Sequence, residues 1–173
     1  MTTATLTQAL TEDGWRHMED GKRDTWGISD AAGDTVIARW RDPDFMVQLS
    51  NLGNPATDMR LRWEATLFHT PEPVVLAAAR AAAAHDDKPD VISRLPEGWH
   101  LCPVRAQGAD PLASYAYETD NRYLYSRYLE YRVVEHSGPE QIRAVLYVAR
   151  DDGPRLYTEP DCPAGVVAAV AFG

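Results

Sequence analysis

The chain states one short pattern twice. Pro-x-x-Val-Val-x-Ala-x-Ala occurs at Pro71, Val74, Val75, Ala77 and Ala79, and again at Pro163, Val166, Val167, Ala169 and Ala171. Two further echoes precede it in the same order: Gly14-Trp15 with Gly98-Trp99, and Ala65-Thr66-Leu67-Phe68 with Ala144-Val145-Leu146-Tyr147. Ordered echoes are the mark of a duplicated unit, and a duplication fixes architecture more tightly than any other feature of this sequence. The natural boundary is His85-Asp86-Asp87-Lys88-Pro89, which gives a first repeat over residues 1–88 and a second over 89–173. With 173 residues, 45% of them hydrophobic, there is material for one domain of ordinary size. Two independent domains of half that length would be marginal, because a small domain buries less of its surface. The expectation is therefore two repeats sharing one core.

Local patterning indicates what each repeat contains. Leu6, Ala9 and Leu10 lie at helical spacing over Thr5 to Asp13, and Gly14 stops that helix. Strand and turn signals follow. Thr25 to Ile28 and Thr35 to Trp40 flank the turn chemistry of Ala31 to Asp34, and Phe45 to Leu49 is a third run. Arg60 to Phe68 alternates cleanly, with Leu61, Trp63, Ala65 and Leu67 on one side, as a half-buried strand does. Thr70-Pro71 then opens an alanine-rich helix from Val74 to Ala84, with Thr70 placed to cap it and Pro71 suited to its first turn. The second repeat offers strands at 99–104, 114–118, 122–134 and 141–150, and a final helix from Pro163 to Phe172. It also carries an insertion near 151–161, which contains a short strand, Arg155 to Thr158. The predicted fold class is α+β: two tandem repeats, each an antiparallel meander of three or four strands followed by one helix, packed as one pseudo-symmetric domain. Such a meander leaves a sheet face bare unless a second unit covers it.

Composition narrows the function classes. The net charge is −9 and the isoelectric point about 4.9, which repels nucleic acid and anionic membranes at long range while leaving room for a local basic stripe. No apolar run is long enough to span a bilayer. Met1 to Thr5 lacks the features of a secretory signal, so a cytoplasmic location with Cys102 and Cys162 as free thiols is expected. His17, His69, His85, His100 and His136 make no metal-type pair, and His100 with Cys102 is too little for zinc. Neither a phosphate loop nor a nucleophile elbow is present, and the acidic pairs fall at turns. No cofactor, no metal and no catalytic constellation is indicated, so a non-catalytic protein is expected.

One stretch has chemistry of its own. Arg122, Tyr123, Tyr125, Arg127, Tyr128, Tyr131 and Arg132 interleave rings with guanidinium groups along a predicted strand. Single-stranded nucleic acid is held by such a surface, bases stacking on rings while arginines meet phosphates. The same residues also pair well within a sheet, and they suit a homodimer or other protein interface. The two readings are thus a single-stranded nucleic-acid-binding module and a protein-interaction or chaperone-like adaptor with an acidic surface. Trp15, Trp26, Trp40, Trp63 and Trp99 read most simply as core or sheet-face residues.

Gly14-Trp15, Trp63-Glu64-Ala65, Thr70-Pro71 and Val74-Val75-Leu76-Ala77-Ala78 together resemble the actinobacterial family called domain of unknown function 317. The likeness covers most of residues 12–85 and, more loosely, 96–172, where Ile142 stands in place of Trp63 and the Thr158-Glu159-Pro160 segment is stretched. It implies tandem strand-and-helix units and no particular activity. Four strands and a helix, twice over, is also similar in plan to the Whirly and PUR single-strand binders, without any of their motifs.

Overall fold

The computed structural model describes residues 3–19, 21–40, 46–54, 60–86, 99–102, 114–119, 127–134, 141–148, 155–158 and 162–172; for the strands between 99 and 148 the description is of backbone pairing. The chain begins with helix α1 (Thr3–Glu12), then β1 (Arg16–Glu19), β2 (Arg23–Asp30), β3 (Gly33–Trp40), β4 (Val47–Leu52) and β5 (Leu61–Phe68), followed by α2 (Glu72–Ala83). The remainder comprises β6 (Trp99–Cys102), β7 (Ser114–Thr119), β8 (Arg127–Val134), β9 (Gln141–Val148), β10 (Arg155–Thr158) and α3 (Ala164–Phe172). All strands join one antiparallel sheet in the order β1-β2-β3-β4-β5-β10-β9-β8-β7-β6. The protein is α+β, with three helices among the described residues.

Among the described residues five strands precede each of α2 and α3, where three or four are expected. The short strand expected at Arg155 to Thr158 is β10, whereas β1, with four residues, is too short for alternation to announce it. What spacing marks as an insertion contains β10, and β10 lies at the centre of the sheet. It pairs with β5 through Leu156 opposite Leu67 and with β9 through Leu156 opposite Leu146. The strand directly before α3 is therefore β10 rather than β9. The echo between Ala65–Phe68 and Ala144–Tyr147 consequently links strands of different rank in the sheet order.

Register shows which residues share a face. Trp26, Ile37, Leu49 and Ala65 are successive cross-strand neighbours, and so are Val47, Leu67 and Leu156. These residues, with Trp63, form the core together with Leu6 and Leu10 of α1, Val75, Ala78, Ala79 and Ala82 of α2, and Val166, Val167, Val170 and Ala171 of α3. Spacings of three and four on each helix build those stripes. Apolar burial of this kind is the main favourable term, roughly 25 cal/mol per Å². The face also holds one buried polar pair, Asn51 Nδ2 donating to Thr35 Oγ1 at 3.1 Å, which satisfies both side chains where water is excluded.

Helix ends tie the layers together. Gly14, at φ +88°, closes α1: its N–H donates to Thr11 O at 3.0 Å and the Trp15 N–H to Leu10 O at 2.9 Å. Trp15 and Leu10 are both buried beside that turn, the hydrophobic contact such a motif favours. The end of α2 repeats the geometry with His85 at φ +49°, His85 N–H donating to Ala82 O and Asp86 N–H to Ala81 O, both at 3.1 Å. The Asp86 carbonyl then accepts from the Gly165 N–H at 2.6 Å, so the exit of α2 is stitched to the entry of α3. A side chain at position 165 would press on Asp86, which explains the glycine. At the other end of α2, Pro71 is the cap, and the Thr70 hydroxyl donates instead to Phe68 O at 3.1 Å. The expected Thr70 cap is superfluous. Val74 and Val75 N–H both donate to Pro71 O, and Pro73 has no N–H to satisfy.

Candidate functional site

The predicted Tyr/Arg stripe is described only in part. Arg122, Tyr123 and Tyr125 lie outside the described residues. Arg127, Tyr128, Tyr131 and Arg132 lie in β8, opposite Val148, Tyr147, Ala144 and Arg143 of β9. Tyr157 is opposite Val145, and Val145 opposite Glu130. By strand parity, Tyr128 and Arg132 thus fall in register with Tyr157, whereas Arg127 and Tyr131 fall in register with Leu156. The stripe therefore divides between two sets of alternate positions.

A second set of aromatic and arginine side chains crosses the fully described half of the sheet. Arg23 is opposite Trp40, and the Trp40 N–H donates to Met46 O at 3.1 Å. Val47 pairs with Leu67, which carries Met46 opposite Phe68, and Phe68 is opposite Arg155. The row Arg23–Trp40–Met46–Phe68–Arg155 therefore runs across β2, β3, β4, β5 and β10, a span of roughly 19 Å at about 4.8 Å per strand. Tyr157 lies two residues along β10 from Arg155, 42% exposed, with its ring edge-on to Phe68 at 6.0 Å between centroids. The Arg23 guanidinium sits over the Trp40 ring at 5.8 Å. Trp40, Met46, Phe68 and Tyr157 take no part in the core to which α1, α2 and α3 contribute. Among the described residues this face of the sheet carries no helix. Of the tryptophans, Trp15, Trp26 and Trp63 are buried in the core, whereas Trp40 stands on the sheet face.

Sequence spacing alone does not reveal the row, since its members come from four strands and the residue preceding β4 and become neighbours only through register. The acidic residues of the same face, Asp34 at the start of β3 and Glu64 midway along β5, lie further toward the other end of the strands.

On the helix side, at this same end of the strands, lies a pocket of about 300 Å³. Its walls are Leu6, Val47, Pro71 and Val75, and its polar members are Arg39, Glu72, His69 and Thr70. Arg39 Nη1 donates to Glu72 Oε1 at 2.8 Å, with the two side chains 15% and 12% exposed. Glu72 Oε2 is buried and has no hydrogen-bond partner among the described residues. An unsatisfied buried acceptor costs about 1–3 kcal/mol, and more when charged. His69, at the pocket rim, is exposed and holds φ +51°, a left-handed conformation that costs a non-glycine residue about 1 kcal/mol or more. An isolated pair of opposite charges with a spare acceptor, a strained rim residue and apolar walls is a binding-site arrangement.

The remaining titratable groups are occupied with structure. His17 stacks on Trp26 at 5.1 Å and approaches Asp24 at 3.4 Å. His85 Nε2 is 2.8 Å from Asp30 Oδ2, while the Ala32 N–H donates to Asp30 Oδ1 at 2.7 Å. Burial raises the Asp30 carboxyl, yet the hydrogen bonds from His85 and from the Ala32 and Gly33 amides, with the His85 charge, hold it below its ordinary value. Cys162 is a free thiol whose pKa burial drives upward, so it is a poor nucleophile. Among the described residues no three potential metal ligands gather, and no helix is long and apolar enough to cross a membrane. No family model, no curated protein and no solved structure matches the chain.

Proposed function

We propose that this chain is a non-catalytic, cytoplasmic protein that binds single-stranded nucleic acid across the helix-free sheet face. The observation that carries this reading is the row Arg23–Trp40–Met46–Phe68–Arg155 with Tyr157 beside it. Rings standing on an open sheet stack bases, and flanking guanidinium groups meet phosphates. Tyr128 and Arg132, in register with Tyr157, would lengthen the platform across β9 into β8. The net charge of −9 makes such binding modest and salt-sensitive rather than absent, because contacts to phosphate are local while the opposing field is screened. We also propose that the two halves arose by duplication, each as five strands and a helix, and that the chain is a divergent relative of the family it resembles.

The test is anisotropy of a labelled single-stranded oligonucleotide across a salt series. Affinity must fall as salt rises. Absence of binding at low salt would sink the single-strand reading. A protein-interaction role is the second reading, favoured by the edge strand β1, where Met18 is 59% exposed. A homodimer formed there would show as a doubled mass in solution.

A further inference from the structure

We propose that the pocket between α1, β3, β4 and the start of α2 receives a single unstacked nucleobase and reads its hydrogen-bonding edge, with cytosine or adenine favoured over thymine. The inference rests on the single-strand reading above and adds a specificity to it. The pocket lies at the same strand ends as the aromatic row: Arg39, Val47 and His69 line it, and their chain neighbours Trp40, Met46 and Phe68 build the row on the opposite face. A strand stacked on the row therefore ends beside the pocket, and one nucleotide turned over the ends of β3 and β5 arrives at His69.

The chemistry of the pocket selects the ligand class. A phosphate or carboxylate would meet Glu72, and a lone ammonium would meet Arg39, so an isolated charge of either sign is disfavoured. What fits is a neutral planar edge with a donor next to an acceptor. Glu72 has one oxygen without a donor, and Arg39 has donors beyond the one given to Glu72. Glu72 Oε2 is shut off from solvent in the arrangement described, so the carboxyl must turn about its soft terminal torsion to meet a base. An exocyclic amine beside a ring nitrogen, as in cytosine and adenine, gives Glu72 its donor and Arg39 its acceptor. The thymine ring N–H is flanked by two carbonyls, and placing it against Glu72 would press a carbonyl on the carboxylate. Leu6, Val47, Pro71 and Val75 supply the apolar walls that hold an unstacked ring. At about 300 Å³ the pocket is at the small end of ligand sites and suits one base rather than two.

Homopolymer oligonucleotides of cytosine, adenine and thymine, of one length and at one salt concentration, test this with the wild-type protein and Glu72→Gln. The expected result is a preference of about tenfold for the cytosine or adenine polymer over thymine, abolished by Glu72→Gln. Because the readout is a ratio of affinities, a lower folded fraction in the variant cancels. As a check that needs no variant, free cytidine added to wild-type protein must shift the amide signals of His69, Glu72 and Val75. Equal affinity for the three polymers, a preference that survives Glu72→Gln, or unmoved amides would each overturn the base pocket. Absence of binding to any polymer would instead overturn the single-strand reading on which it stands, and a shift by cytidine alone would then leave the pocket as a site for a free nucleoside.

Discussion

At the scale of the residue, small groups in uncommon conformations hold the layers in place. His85 adopts a left-handed conformation without being glycine, and its imidazole meets Asp30 at 2.8 Å on the hairpin between β2 and β3. Asp30 titrates below its ordinary value of 3.8, so its charged form favours the folded state. That contribution is complete above the unfolded-state pKa and disappears as pH falls through the lower folded-state value. Asp30→Asn keeps the acceptor for the Ala32 amide and removes only the charge. Urea midpoints should therefore separate wild type from Asp30→Asn near pH 6 and converge as the pH drops below about 4. Since both side chains are partly exposed, added salt should narrow the gap. Little at this scale could be read in advance. Nothing in the sequence distinguishes Trp40 from Trp26, yet the first stands on the open face and the second is fully buried. One residue of register decides the matter, and register is a property of pairs of strands.

At the scale of the element, legibility follows length. Arg60 to Phe68 is long and half-buried, so its period of two is plain, and β5 spans nearly the whole of it. The alanine-rich run and its proline announce α2, and Gly14 announces the end of α1. By contrast, β1, at four residues, offers no period to count. The glycine of the α1 motif offers a clean test, because a Cβ at position 14 would meet nothing within 4 Å. Gly14→Ala should destabilise the protein by about 1 kcal/mol through backbone conformation alone. Thermal melting would report it, and an unchanged melting temperature would show that α1 contributes little to the fold. The bidentate pair of Arg80 with Asp13, at 2.7 and 3.3 Å, ties the same turn to α2, but its exposure leaves it only a small role.

At the scale of the whole molecule, local patterning led to α+β, to the three helices among the described residues and to strands massed before each of the last two. It could not supply the order of strands, since nothing local states that β5 and β10 are partners. The candidate interface was hidden for the same reason. The predicted run from Arg122 to Arg132 is contiguous in the chain, whereas the row from Arg23 to Arg155 is contiguous only in the sheet. If both end arginines meet phosphates, replacing Arg23 and Arg155 by alanine should lower the slope of log affinity against log salt by about 0.7 for each. Tyr157→Ala should instead weaken binding by about 1–3 kcal/mol with little change in slope. A variant pair that leaves both slope and affinity intact would move the interface off this face.

The partnership of β5 with β10 also sets a timetable. Leu67 waits for Leu156, which the ribosome delivers after nearly ninety further residues. Until then β5 is a finished strand with one side unpaired, of the kind that recruits other chains. Its cover arrives only as β10 enters the sheet and α3 lies against α2. The first half must therefore either persist as a half-built sheet or wait unfolded, and closure of so long a loop makes the final step slow. Refolding should show a late phase in which amide protection of β5 and α3 appears together.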